Sequence, residues 1–198
     1  MASESLAFKP QQKAFPMERF PVHTIDSAPD ASKSALRDVQ QRFGMIPNLA
    51  GAMATSPVLA EAFVGIFDRV HGGSFNEPQI QTVLLTDAVT NGSAWAVALH
   101  TALGLQAGLD PGDVEAMRER RSPLDPKLGA LSTLARTLIE KRGRLDEEDI
   151  QRFVAAGFGK DLLLEAITIV AASTITNYTG SVTNPPLEQH LQPFVWNG

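Results

Sequence analysis

The stretch "NGSAWAVALHT", Asn91 to Thr101, holds the residues whose spacing could do chemistry. Asn91-Gly92 breaks a preceding helix, and Ser93 stands where a cap would open the next one. Ser93, Ala96 and His100 then fall at i, i+3 and i+7, on one stripe of that helix. Ala96 and His100 are about 6 Å apart along the axis. The first turn of a helix offers unpaired N–H groups and the positive end of the dipole, so a thiol there would be acidified and reactive. These positions carry a hydroxyl and a methyl instead. A serine needs an adjacent base, and His100 lies about 10 Å further along the axis, so capping is the role expected of Ser93. His100 titrates near neutrality in an ordinary setting and is the candidate acid or base. The competing expectation is a packed core histidine held by a hydrogen bond.

Other chemistry has less support. His23, His71, His100 and His190 are widely spread with no His-x-x-His or His-x-x-x-His pair, so no metal site is expected. Asn177 and Tyr178, in "TITNYTG", put polar groups into an apolar helix. Buried polar groups need partners, and a neighbouring helix is the expected partner, with a ligand as the alternative.

The elements that position these residues are marked by helix punctuation. Ser27-Ala28-Pro29-Asp30 opens a helix running to Phe43 and stopping at Gly44. Ser56-Pro57 is a cap followed by proline at the first helical position, and that helix ends at Gly72-Gly73. Asn76 caps the next, with Pro78 in its first turn. Asp110-Pro111 and Asp125-Pro126 repeat the device, while Gly143 and Gly157 are stop signals. In the helix from Pro57, Leu59, Phe63, Ile66, Phe67 and Val70 share one face. "LDPGDVEAM" and "LDEEDIQRF" echo one another as two Asp-capped helix starts. Alternating apolar-polar runs are absent, so the fold class is all-α with eight to ten helices. The central ones run from Pro78 to Ala107, interrupted at Asn91-Gly92, and from Lys160 to Val182.

Composition narrows the function classes. The chain has 198 residues, 43% hydrophobic and 20% charged, with net charge −5 and no cysteine. Disulfides, thiolate metal sites and thiol catalysis are excluded together. The basic clusters "RERR" and "KRGR" sit where helices should end and complement the dipole there, so no nucleic-acid partner is expected. "LLLEAITIVAASTI" is shorter than a bilayer crossing and contains Glu165. With no signal-peptide pattern at the start, the expectation is a cytoplasmic protein with no membrane partner. Residues 1–19 read as a polar arm carrying Phe8, Pro10, Phe15 and Pro16, and residues 20–198 as one all-α domain.

The spacing around "NGSAWAVALHT" resembles that of the alkylhydroperoxidase-D-like proteins of the carboxymuconolactone decarboxylase superfamily, in the peroxidase-related branch. That motif is Glu, eleven residues, Cys-x-x-Cys, three residues and His, often with Asn-Gly before the first Cys. The matching positions here read Gln81, Ser93, Ala96 and His100. "FPVHTIDSAPDASKSALRDVQQRFGMIPNLAGAMATSPVLAEAF", "AGLDPGDVEAM", "RLDEEDIQRFVAAGF" and "PLEQHLQPFVW" resemble the branch's other landmarks, so the likeness spans roughly residues 20 to 196. Trp95 stands where the family more often has Tyr.

The resemblance implies a helical bundle and a pocket formed by Gln81, Ser93, Trp95, Ala96, His100 and Asn177. It does not imply thiol peroxidase activity, because both cysteines are replaced and Gln81 cannot take a proton as Glu does. It also implies a homo-oligomer, a dimer or a dimer-based hexamer, with no cofactor. The expected role is binding of a small organic ligand, or a scaffold. The alternative is a non-redox acid–base enzyme of the lactone decarboxylase type using His100. A cavity beside His100 and Gln81 would favour a small molecule, and a filled core would favour the scaffold.

Overall fold

The computed structural model describes residues 20–198; the expected arm, residues 1–19, lies outside them. Nine α-helices and two 3-10 segments make up the described chain, with no strand among the described residues. After a 3-10 turn at Asp30–Ser32 come α1 (Lys33–Phe43), α2 (Asn48–Met53), α3 (Pro57–His71), α4 (Glu77–Thr90), α5 (Ala94–Gln106), α6 (Pro111–Arg118), α7 (Pro126–Glu140), α8 (Glu147–Ala155) and α9 (Lys160–Thr183), then a 3-10 segment at Gln189–Phe194.

The punctuation behaves as read. Gly44 ends α1 in the left-handed conformation, φ 70°, where a side chain would be strained. Ser56 accepts a bond from the Leu59 N–H, and Asn76 forms a capping box with Gln79. Asp110, Asp125 and Asp146 cap α6, α7 and α8 through their carboxylates, so the two echoing segments are two helix starts. The Arg and Lys clusters also follow helix ends. Arg118 bonds the Phe194 and Val195 carbonyls, and Lys141 bridges Asp146 and Asp149.

Helix α4 is the axis of the fold. Every residue from Ile80 to Val89 is buried, because α5, α6, α7 and α9 pack around it. A helix surrounded on all sides needs no polar face. Helix α9 packs on α2, α3, α4, α5 and α7 and is, among the described residues, one helix long and apolar enough to cross a membrane. Its other side leaves Leu164, Ile167, Tyr178 and Val182 exposed. Tyr178 therefore stands outside the core, whereas Asn177 is inside it. The largest apolar cluster joins α4, α7, α8 and α9 through Ile80, Leu131, Leu138, Phe153, Leu163 and Ile169.

Candidate functional site

Between α3, α4, α5 and the segment leading into α2 lies a cavity of about 360 Å³. One wall is the apolar face of α3, with Phe63, Ile66, Phe67 and Val70. These side chains border open space, so the periodicity that reads as a core stripe here marks a cavity wall. Across from it stand Trp95, Leu99, His100 and Leu103 of α5 and Gln81 and Leu84 of α4.

A chain of hydrogen bonds crosses the polar corner. Glu77 sits in the first turn of α4, and Gln81 follows one turn later on the same face. The Gln81 side-chain amide donates to Glu77 Oε1 at 2.7 Å. A carboxylate only accepts, so this bond fixes the amide orientation and turns Gln81 Oε1 towards His100. The His100 Nδ1–H donates to that oxygen at 3.0 Å. The other Glu77 oxygen faces His71 Nδ1 at 3.0 Å. The imidazole of His100 is therefore held as the Nδ1–H tautomer, and Nε2 is left with its lone pair and no hydrogen-bond partner among the described residues. His100 is 7% exposed. Burial, with the neighbouring His71 second, lowers its pKa from 6.5 to about 3.

Gln81, Trp95 and His100 line the cavity together; Ser93, Ala96 and Asn177 do not. The α5 face on the cavity is Trp95, Leu99, Leu103 and Gln106, with His100 at its border. The stripe of Ser93 and Ala96 turns into the protein. Ala96 packs with Leu85, Ala88 and Val97. Ser93 occupies the cap position but makes no side-chain cap bond, contrary to the role expected of it. Its hydroxyl lies against α9, where a Cβ placed on Gly180 would come within 3.5 Å. Asn177 donates to Ser173 Oγ at 3.0 Å, so a polar group of its own helix partners it. Asn177 Oδ1 and both Asp87 oxygens are sealed without a hydrogen bond of ordinary geometry. Burial lifts the Asp87 pKa well above the ordinary carboxylate range, tempered by the nearby Ser173 hydroxyl.

Sequence reasoning did not single out Glu77, Arg42 and Glu188, and weighed His71 only as a metal ligand. Glu77 at i−4 to Gln81 was the available signal. Arg42 lines the cavity, but Asp68 holds its guanidinium in a two-pronged pair, and it lies over the Phe67 ring. Glu188 is buried and accepts from the Asn48 backbone N–H at 2.6 Å and from the Trp95 indole N–H at 3.0 Å. It ties the C-terminal segment to α2 and to the cavity wall. No group of three or more His, Asp or Glu side chains that could hold a metal ion occurs among the described residues.

No protein-family model matches the chain, and no curated protein does. Solved structures do. An uncharacterized peroxidase-related protein with an alkylhydroperoxidase AhpD core, from Ralstonia eutropha JMP134, is 18% identical over 90% of this chain and 96% of that one, with a TM-score of 0.77. Another uncharacterized peroxidase-related protein, from Silicibacter sp. TM1040, is 20% identical over 87% of this chain and 93% of that one, TM-score 0.73. The debrominase Bmp8, in a Cys→Ala variant complexed with 2,3,4-tribromopyrrole, is 16% identical over 88% of this chain and 94% of that one, TM-score 0.71. At such identities the likeness speaks for the fold alone. The chain has the all-helical alkylhydroperoxidase AhpD-like fold, and it has it without a single cysteine.

Proposed function

We propose that the protein binds a small organic molecule in the His100 cavity and does so as a homo-oligomer. The open volume of about 360 Å³ beside His100 and Gln81 carries the reading, since a scaffold would have filled it. That a debrominase of the same fold holds a brominated pyrrole supports a ring-shaped ligand. The exposed apolar face of α9 supports self-association. The packing of one α9 face against five other helices favours a helix of the bundle over a membrane span, and a cytoplasmic location is proposed with it. Thiol peroxidase chemistry has no nucleophile in a chain without cysteine, so a dithiol donor should drive no hydroperoxide reduction.

The acid–base alternative is weaker. A base with a pKa of about 3 is a poor proton acceptor at neutral pH. The lining guanidinium that could hold a substrate carboxylate is already engaged by Asp68.

Thermal-shift measurement with small ring compounds tests the reading, because a ligand of the folded state raises Tm by mass action. Leu103→Trp, which fills the cavity from α5, should keep the helical content and lose the shift. If no ring compound stabilises the wild-type protein, or if the filled variant responds as well as wild type, the cavity is not a binding site.

A further inference from the structure

We infer that the ligand is a neutral, apolar molecule about two rings in size, carrying one O–H or N–H donor that it places on His100 Nε2. The inference rests on the binding reading above and specifies its chemistry.

The direction of the hydrogen bond follows from a chain with one solution. Glu77 can only accept, so Gln81 must present its NH₂ to it. Gln81 then presents its oxygen to His100, so Nδ1 must carry the proton. A neutral imidazole with Nδ1–H has only a lone pair at Nε2. The partner that completes His100 is therefore a donor. A carbonyl or ether oxygen placed there would face another lone pair.

Charge excludes the ionic classes. Arg42 is occupied by Asp68 and His71 by Glu77, so an anion would enter without a free cation and beside the Glu77 carboxylate. Both Glu77 oxygens already face a partner, Gln81 and His71, and the carboxylate is half-exposed, so it offers a cation only a shared and solvent-screened charge. The remaining wall is hydrocarbon and aromatic, including Phe63, Phe67, Trp95 and Leu103.

Size sets the body of the ligand. A dry cavity of about 150 Å³ lined by apolar side chains takes up benzene. The cavity here, about 360 Å³, is roughly twice that, enough for a fused bicycle.

The test uses the full chain and four naphthalenes of one shape: 2-naphthol, 2-methylnaphthalene, 2-naphthoate and 2-naphthylmethylammonium. Binding is read by calorimetry or competitive fluorescence at neutral pH. The expected order places 2-naphthol first, with 2-methylnaphthalene about tenfold weaker because it buries Nε2 without a donor. The two ions should bind more weakly still. Nitrogen-15 spectra of His100 should show the Nδ1–H tautomer in the free protein, and 2-naphthol should shift Nε2 while leaving Nδ1 protonated. In His100→Phe the preference for 2-naphthol over 2-methylnaphthalene should vanish. Equal binding of these two to the wild-type protein would leave the cavity a binding site but overturn the donor. Tightest binding by either ion, or an Nε2–H tautomer in the free protein, would also overturn it. If none of the four binds, the inference and the reading beneath it fail together. Because the wild-type comparison and the spectra need no variant, a misfolded His100→Phe would not rescue it.

Discussion

Two buried titratable side chains pull stability in opposite directions with pH. The unfolded chain protonates His100 near 6.5 and the folded chain only near about 3. Between those values the unfolded state binds a proton that the folded state refuses, so stability falls with falling pH by up to about 1.4 kcal/mol per unit. Above 6.5 that loss is absent. Asp87 has the opposite sign: burial raises its folded value well above 3.8, so the folded state keeps a proton the unfolded chain has released, and stability falls as pH rises from there. His100→Gln should flatten the acid limb in chemical denaturation between pH 4 and 7. Asp87→Asn should raise Tm at pH 7 to 8, with the gain shrinking towards pH 4. An unchanged acid limb in His100→Gln would mean that His100 is solvated in the folded state. Introducing a carboxylate by Gln81→Glu should raise the His100 pKa by about one to three units, because an opposite charge would then face Nδ1–H. Set against Glu77 across the 2.7 Å bond of the present amide, the new carboxylate cannot ionise freely, so one carboxyl of the pair should hold its proton abnormally long. A proton-detected titration of the variant reads both.

Element boundaries were legible in the sequence because they are local. Asn76 needs only Gln79 to make its capping box, and Gly44 needs only its own missing side chain. What the α3 face meets is not local, and a half-exposed Phe67 on a cavity has the same spacing as a buried one. The site was half legible for the same reason. His100 stood out by its place on the α5 stripe and Gln81 only through the family motif it matches, but Glu188 is 140 residues from the Asn48 N–H it accepts, and no periodicity signals that. Its two bonds make it a staple between the C-terminal segment, the first turn of α2 and α5. A carboxylate at a helix N-terminus is favourable in any case. Glu188→Ala would strand the Trp95 and Asn48 N–H groups in a poorly hydrated place, at about 1–3 kcal/mol. A Tm loss of several degrees is expected, with a change in Trp95 fluorescence. Glu188→Gln, which still accepts one bond, should lose less. Equal Tm values for the alanine variant and wild type would show that water replaces the carboxylate at no cost.

At the scale of the whole molecule, α9 has two faces of similar apolarity, and among the described residues only one of them is packed. Ala166, Ile169, Ala172 and Ser173 are packed inward, while Leu164, Ile167, Ala171, Tyr178 and Val182 recur at i, i+3, i+7, i+14 and i+18 on the open side. That spacing is a seam along a helix rather than a scatter of exposed hydrophobes. An exposed seam of this kind is covered most simply by its own copy about a two-fold axis, each α9 lying against the other. Light scattering at micromolar concentration should therefore give at least twice the 21.3 kDa chain mass. Ile167→Glu, with Leu164→Glu as a second variant, should lower that mass by placing like charges across the seam. Since the change touches no residue of the cavity wall, the fold and ring-compound binding should survive in the dissociated chain. Tm should also rise with protein concentration in the wild type, because association stabilises the folded state by mass action, and should lose that dependence in the glutamate variants. A wild-type protein that is monomeric at these concentrations would refute the seam. A mass unchanged by both glutamates would place the contact elsewhere on the surface.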